Sequence, residues 1–204
     1  MWRRLVARIA DRVKQTVAEA NGVPESHVVR GFRVKVENTR PDINTADVLA
    51  RLDDALGLID AYQPWRLRHL RRDLAAIWVV RFPCRGAYLP AERACIAELT
   101  FLARRDISAA PVASSIVHVG MHARVDRMGV RPESRAAARE ERICRRAELA
   151  FGRVLPPELG APVVARALDS LALDDEGVAP AIDWNEARRR QAEVDAQALD
   201  RRPP

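Results

Sequence analysis

The spacing of hydrophobic residues along the chain predicts a mainly helical protein with a few short strands. Helical spacing is found over 45–62, from residue 64 to about 77, and over 109–127, 132–154, 158–173 and 184–200. Asn44 or Thr45 is the predicted N-cap of the helix over 45–62, and Pro64 and Pro111 fall in a first helical turn, where proline is tolerated. Gly129 predicts the end of the helix over 109–127.

Strands are predicted in two regions of the chain. Over 28–36, Phe32, Val34 and Val36 alternate with polar residues, which predicts one half-exposed strand. Three short apolar segments at 77–82, 86–90 and 95–99 predict a small antiparallel meander or hairpin ahead of the helix over 109–127. The resulting fold class is α+β.

The N-terminal segment predicts a basic amphipathic helix over 2–20, with Trp2, Leu5 and Val6 on its apolar face. Such a helix docks on the protein core or lies on a membrane surface. No run approaches the roughly 20 apolar residues that a transmembrane helix needs. The expected location is therefore the cytoplasm.

The composition does not favour a nucleic-acid partner. The formal charge is +6, but the chain has only two lysines, and its arginines form no dense block interleaved with aromatic residues. Cys84, Cys95 and Cys144 make neither a disulfide framework nor a CxxC pair, which indicates free thiols in a reducing compartment. The partner expected for a binding function is an unknown protein or peptide.

The strongest chemical signal is the pair His118 and His122. Residues four apart share one face of a helix, so both imidazoles can reach one metal ion. The zinc-peptidase signature has this spacing with a glutamate after the first histidine as general base, and that position is Val119. A third ligand is expected from the next helix, where Glu141 and Glu148 share a face with Cys144.

The segments His118-Val-Gly-Met-His122-Ala-Arg, Gly129 and Arg139-Glu-Glu-Arg-Ile-Cys144 resemble those of small bacterial proteins with a zincin-like, gluzincin-type metallopeptidase core. The family form is His-Glu-Ala-Thr-His-Ala-Arg, then Gly, then Arg-x-Glu-x-Ile-Cys. The resemblance implies zinc bound by His118, His122 and Glu141, and a substrate bound along an edge strand. It spans about residues 45–155 and divides the chain into 1–40, a core over 41–155 and a helical extension over 156–204.

The resemblance also implies a lost catalytic function, because valine cannot act as a general base. Such a base typically contributes 10²–10⁴-fold to the rate. Glu140 lies about 100° round the helix from Glu141 and is expected to point away, while Glu148 lies about 10 Å along the axis. Gly120 and Met121 also depart from the family form. The motif therefore predicts a catalytically silent domain with a binding or regulatory role.

Other interpretations of the same residues stay open. An active zinc-dependent hydrolase would use another base, or a metal-bound hydroxide alone. A partner-binding or membrane-surface protein would use the N-terminal helix and bind no metal. The histidines would then be held by hydrogen bonds, and Glu141 would pair with Arg124 or Arg145. In each case Cys144 is expected to be a small buried hydrophobic residue.

Overall fold

The computed structural model describes residues 24–129 and 136–200, which form eight helices and one five-stranded sheet. The helix expected over 2–20 lies outside the described residues. The α+β class, with helices predominating, is confirmed. None of the described helices is long and apolar enough to cross a membrane.

The helices and strands lie close to the predicted segments. The strands are β1 (Glu25–Val29), β2 (Phe32–Val36), β3 (Ala76–Val80), β4 (Gly86–Leu89) and β5 (Ala94–Glu98). The helices are α1 (Thr45–Tyr62), α2 (Pro64–Asp73), α3 (Leu99–Ala103), α4 (Ala110–Arg127), α5 (Ala136–Gly152), α6 (Pro157–Ala172), α7 (Asp175–Val178) and α8 (Trp184–Asp200). As predicted, the Asn44 side chain caps α1 by accepting from the Ala46 amide, and α4 is followed by Gly129 at a positive φ.

The sheet contains both parallel and antiparallel pairs, whereas the sequence predicted only antiparallel pairing over 77–99. Its strand order is β1-β2-β3-β5-β4. The outer pairs, β1–β2 and β4–β5, are antiparallel, whereas β3 runs parallel to both β2 and β5. The chain leaves β3, forms β4 at the sheet edge and returns as β5, so that β3 and β5 point the same way. Strand β4 is consequently an edge strand.

The strand predicted over 28–36 is two strands joined by a tight turn. Arg30 and Gly31 both have positive φ, at 45° and 79°, and reverse the chain between β1 and β2. The guanidinium of Arg71 donates to the Arg30 carbonyl and so ties this turn to α2. The alternation at Phe32, Val34 and Val36 is confirmed, since all three side chains are buried in the core.

Helix α4 is the central element of the fold. It packs against α1, α2, α5 and α6 and against strands β4 and β5. Most of its faces are therefore covered, which explains why its apolar residues do not form one narrow stripe. Both histidines of the HxxxH motif lie on this helix and are held in a fixed environment.

Gly120 of α4 lies directly against Leu70 of α2. A Cβ at this position would lie 2.1 Å from Cδ2 of Leu70, whose side chain is buried in the core. We expect Gly120→Ala to lower the free energy of unfolding by about 1–3 kcal/mol, because a packed core must shift to admit the methyl group. Urea unfolding followed by circular dichroism measures this change.

A matched control for that substitution is Gly57→Ala in α1. There the new methyl would meet only the flexible end of the Arg30 side chain, at 3.0 Å. Alanine gains up to about 1 kcal/mol of helix propensity over glycine. Gly57→Ala should therefore be neutral or stabilising, and a similar loss in both variants would contradict the packing argument.

The last helix is attached to the sheet by buried charges. Asp195 of α8 accepts hydrogen bonds from Arg81, which follows β3, and from Arg40, at 2.6–3.1 Å. Arg81 also forms an ion pair with Glu98, and both side chains are almost fully buried. Glu98 in turn accepts from the Phe101 amide at 2.7 Å and caps α3.

Candidate metal centre

Helix α4 directs two rows of side chains toward different neighbours. Ser114 and His118 lie one turn apart and contact Glu148 of α5, and His122 follows one turn later. The neighbouring row, Ser115 and Val119, faces the edge strand β4. The histidines are thus on the α5 side of the helix, and the residue at the general-base position is on the β4 side.

The two histidines and Glu141 meet at a single point. The Nε2 atoms of His118 and His122 are 3.1 Å apart. One oxygen of Glu141 lies 3.2 Å from the His118 Nε2, and the other lies 3.2 Å from the His122 Nε2. Ligands bound tetrahedrally at about 2.0–2.1 Å from zinc are separated by about 3.3 Å. The observed separations match that spacing.

Each histidine also contacts a further carboxylate through its Nδ1 atom, on the side of the ring away from Glu141. Nδ1 of His118 lies 2.5 Å from Oε1 of Glu148, and Nδ1 of His122 lies 2.6 Å from Oε1 of Glu140. Glu148 is the more enclosed, at 1% exposure, and also accepts from Ser114 and Arg145. Metal-binding histidines characteristically donate their other N–H to a carboxylate in this way.

These contacts fix which nitrogen of each ring carries the proton. Ionised carboxylates only accept hydrogen bonds, so both Nδ1 atoms are donors. In the neutral imidazoles, the Nε2 lone pairs of His118 and His122 then point at each other and at both oxygens of Glu141. Four acceptors directed at one another repel unless a cation lies among them. That cation is either a metal ion or protons on the rings.

The ionisation of the groups follows from the same geometry. Burial raises the pKa of Glu141, but hydrogen bonds and charge from the two histidines outweigh it and hold this pKa well below its usual range. Burial lowers the pKa of His122, but the contacts with Cys144, Glu140 and Glu141 outweigh it, so this pKa is well above the ordinary value. In the absence of a metal, His122 and Glu141 are therefore both expected to be charged.

Cys144 completes a group of side chains that could hold a metal ion. Ligand atoms of His118, His122 and Cys144 all lie within 4.8 Å of one another. Cys144 is fully buried, as predicted, and burial raises the pKa of its thiol. A thiol must lose its proton to bind a metal. Cys144 could therefore join the histidines as a metal ligand only after losing that proton.

Val119 is packed rather than directed into an open cleft. It is 2% exposed, and a Cβ at Gly86 of β4 would lie 3.2 Å from its Cγ2 atom. The same Cβ would lie 2.9 Å from the Ile96 carbonyl oxygen of β5, so glycine at position 86 keeps the space between β4, β5 and α4 free of a side chain. Position 119 is therefore an apolar contact between helix and strand.

The structure brings together the candidate ligands and carboxylates singled out in the sequence, whereas Val119 faces β4: they are His118, His122, Glu140, Glu141, Cys144 and Glu148. The expectation that Glu140 points away is wrong, because the close approach of α5 to α4 lets two adjacent glutamates reach His122 from different sides. Glu141 contacts the histidines, whereas Arg145 pairs with Glu148 and Arg124 with Asp73. Sequence reasoning missed Ser114, although its place one turn before His118 is a usable signal.

The chain was also compared with known proteins. No protein-family model, curated protein or solved structure matches it. The resemblance to zincin-like proteins accordingly rests on the motif residues of the sequence alone.

Proposed function

We propose that this is a zincin-like protein that binds zinc through His118, His122 and Glu141 and acts as a binding or regulatory protein, not as a peptidase. The observation that carries the proposal is the convergence of two Nε2 atoms and one carboxylate at 3.1–3.2 Å, with a carboxylate behind each ring. The donor set of two imidazoles and one carboxylate suits zinc. Bound zinc would supply a Lewis acid and a cross-link between α4 and α5.

The surroundings of the site support a role other than hydrolysis. Val119 cannot accept a proton, and its buried side chain packs against β4. The two carboxylates that could replace a base, Glu140 and Glu148, each accept from a histidine Nδ1 and are engaged in orienting the rings. Without a general base, a loss of about 10²–10⁴-fold in rate is typical.

Strand β4 supports the binding role. It lies at the edge of the sheet and pairs with β5 along one edge. One face of the strand packs against the Val119 row of α4. An extended peptide can add to such an edge by main-chain hydrogen bonds. The partner proposed is therefore an extended protein or peptide segment that adds to β4 beside the metal centre.

Metal analysis of the purified chain tests the metal site. We expect about one zinc per chain after incubation with zinc and removal of the excess, and almost none in His122→Ala or His118→Ala. A matched control is His27→Ala, because His27 lies on β1, outside the metal centre, and its ring pairs with Glu25. Metal-free wild type, or zinc retained in His122→Ala, would refute the site.

A peptide-library assay tests the proposed lack of hydrolysis. We expect the zinc-loaded wild type to cleave no peptide faster than the His122→Ala variant does. Cleavage by the wild type that disappears in His122→Ala would instead establish a metallohydrolase with an alternative base.

A further inference from the structure

Cys144 lies between the two carboxylates that orient the histidines. On α5, Glu140, Cys144 and Glu148 follow one another at four-residue intervals, so their side chains share one face of the helix. Glu140 contacts the Nδ1 atom of His122, and Glu148 contacts that of His118. The thiol, one turn from each carboxylate, is therefore presented to the same two imidazole rings.

The position of the thiol agrees with this placement. Its Sγ atom and one ring nitrogen of each histidine lie within 4.8 Å of one another, and Cys144 is fully buried. Burial raises the pKa of the thiol, while the charge of His122 and a hydrogen bond with it act in the opposite direction. A hydrophobic role would need burial alone, whereas this thiol also contacts the metal centre.

A tetrahedral zinc ion needs one ligand more than the two histidines and Glu141 supply. A catalytic centre keeps its fourth position for water, whereas a structural centre fills it with a protein side chain. Zinc binds a thiolate at about 2.3 Å and an imidazole at about 2.0–2.1 Å, which places sulfur and nitrogen about 3.6 Å apart in a tetrahedron. Because the ligand atoms already lie within 4.8 Å of one another, they need to approach by about 1.2 Å at most.

The other candidates for the fourth position are engaged elsewhere. Glu140 and Glu148 contact the Nδ1 atoms, on the side of each ring away from Glu141. Val119 has no ligand atom and packs against β4. Cys144 is the side chain of this group that has a ligand atom near both rings and does not orient either of them.

We infer that Cys144 binds the metal as a thiolate and is its fourth ligand, beside the two histidines and Glu141. The inference rests on the proposed zinc site and fills the position that water would occupy in a hydrolase. One proton leaves the thiol for solvent as each metal–sulfur bond forms. The closed centre cross-links α4 and α5, and its thiolate favours zinc over hard cations such as magnesium and calcium.

Replacing zinc by cobalt(II) gives a direct readout of a metal–thiolate bond. A cobalt–sulfur bond produces an intense charge-transfer absorption in the near ultraviolet, which imidazole and carboxylate ligands do not produce. We expect this band when cobalt(II) is added to the metal-free wild type with a non-thiol reductant, and we expect zinc to abolish it. Cys144→Ser should bind cobalt through its three remaining ligands without the band.

Cys95→Ser is the matched control. Cys95 is buried like Cys144 but lies on β5, where its thiol donates to the Ile96 carbonyl oxygen at 3.6 Å. This variant should keep the band and the zinc affinity of the wild type. Cys144→Ser should bind zinc about 10–100-fold more weakly, since losing a ligand costs at least as much as losing one of its outer partners.

A further variant assigns the band even if Cys144→Ser does not fold. The chain has three cysteines, so Cys144 is the sole thiol in the double variant Cys84→Ser/Cys95→Ser. We expect this double variant to show the full cobalt band. Circular dichroism verifies that each variant is folded.

The possible outcomes separate the inference from the zinc site itself. Metal that binds the wild type and is lost in His122→Ala, but gives no charge-transfer band, would overturn the role of Cys144 and leave the zinc site standing. A band that persists in Cys144→Ser, or is absent from the double variant, would overturn that role as well. A wild type that takes up neither zinc nor cobalt would refute the zinc site and the inference together.

Discussion

Replacing Glu148 by alanine should weaken zinc binding about 10–100-fold and lower the free energy of unfolding by about 3–5 kcal/mol. Glu148 is 1% exposed and accepts from His118, Ser114 and Arg145 at 2.5–3.1 Å. Its removal frees the His118 ring to rotate and leaves a guanidinium beside a buried gap. Both consequences follow from one substitution, because a single carboxylate joins the metal centre to the core.

The two effects are measured separately. Competition with a zinc-binding dye gives the affinity, and urea unfolding in the presence of a chelator gives the stability of the metal-free chain. The control is Glu193→Ala, whose partner Arg189 lies on the surface of α8. Surface ion pairs of this kind contribute at most about 1 kcal/mol. Equal losses in both variants would contradict the role given to Glu148.

The pH dependence of the metal-free chain provides a further check on Glu148. Burial raises its pKa, but the hydrogen bond from His118 and the charges of His118 and Arg145 outweigh this and hold the pKa below its ordinary value. A lowered carboxyl pKa stabilises the fold above the unfolded value of about 4.3 and ceases to do so as the pH falls through the folded value. The stability difference between wild type and Glu148→Gln should therefore be full at pH 6 and shrink below about pH 4.

A second large effect is expected for Glu98→Ala, which should cost about 3–5 kcal/mol of unfolding free energy. The substitution leaves Arg81 buried without its nearest carboxylate. It also removes the carboxylate that caps α3 by accepting a hydrogen bond from the Phe101 amide at 2.7 Å. A lost helix cap alone costs about 1 kcal/mol. The total loss of about 3–5 kcal/mol is a large fraction of the 5–15 kcal/mol that stabilises a typical domain.

Thermal and urea unfolding of Glu98→Ala and of Glu25→Ala test this effect. Glu25 is an exposed residue of β1 that contacts His27. We expect less than about 1 kcal/mol from Glu25→Ala. Because Asp195 also pairs with Arg81, limited proteolysis should in addition show whether α8 remains attached in Glu98→Ala. A cost near that of Glu25→Ala would show that Asp195 alone neutralises Arg81.

Much of the helical architecture could be predicted from the sequence, because its signals are local. The cap at Asn44, the prolines in first turns and the glycine after α4 mark helix ends by their own backbone chemistry. The hairpin was missed because it depends on a turn at Arg30 and Gly31, and arginine seldom adopts a positive φ. The parallel pairing of β3 with β5 was missed because strand order depends on contacts that are distant in the chain.

The candidate site could be predicted in its members but not in its arrangement. The four-residue spacing of His118 and His122 and the position of Glu141 on the next helix indicated a shared centre. The roles of Glu140 and Glu148 depend on how closely α5 approaches α4, which helical periodicity does not describe.

The contact between Val119 and Gly86 has a consequence for any attempt to engineer a working hydrolase on this scaffold. A glutamate introduced at position 119 would place its carboxylate between helix and strand, where the Ile96 carbonyl already limits the space beside Gly86. The strand would have to move away from the helix before water and a charge could share that space. A single substitution at position 119 is therefore insufficient, and a working base there would need coordinated changes in α4 and β4.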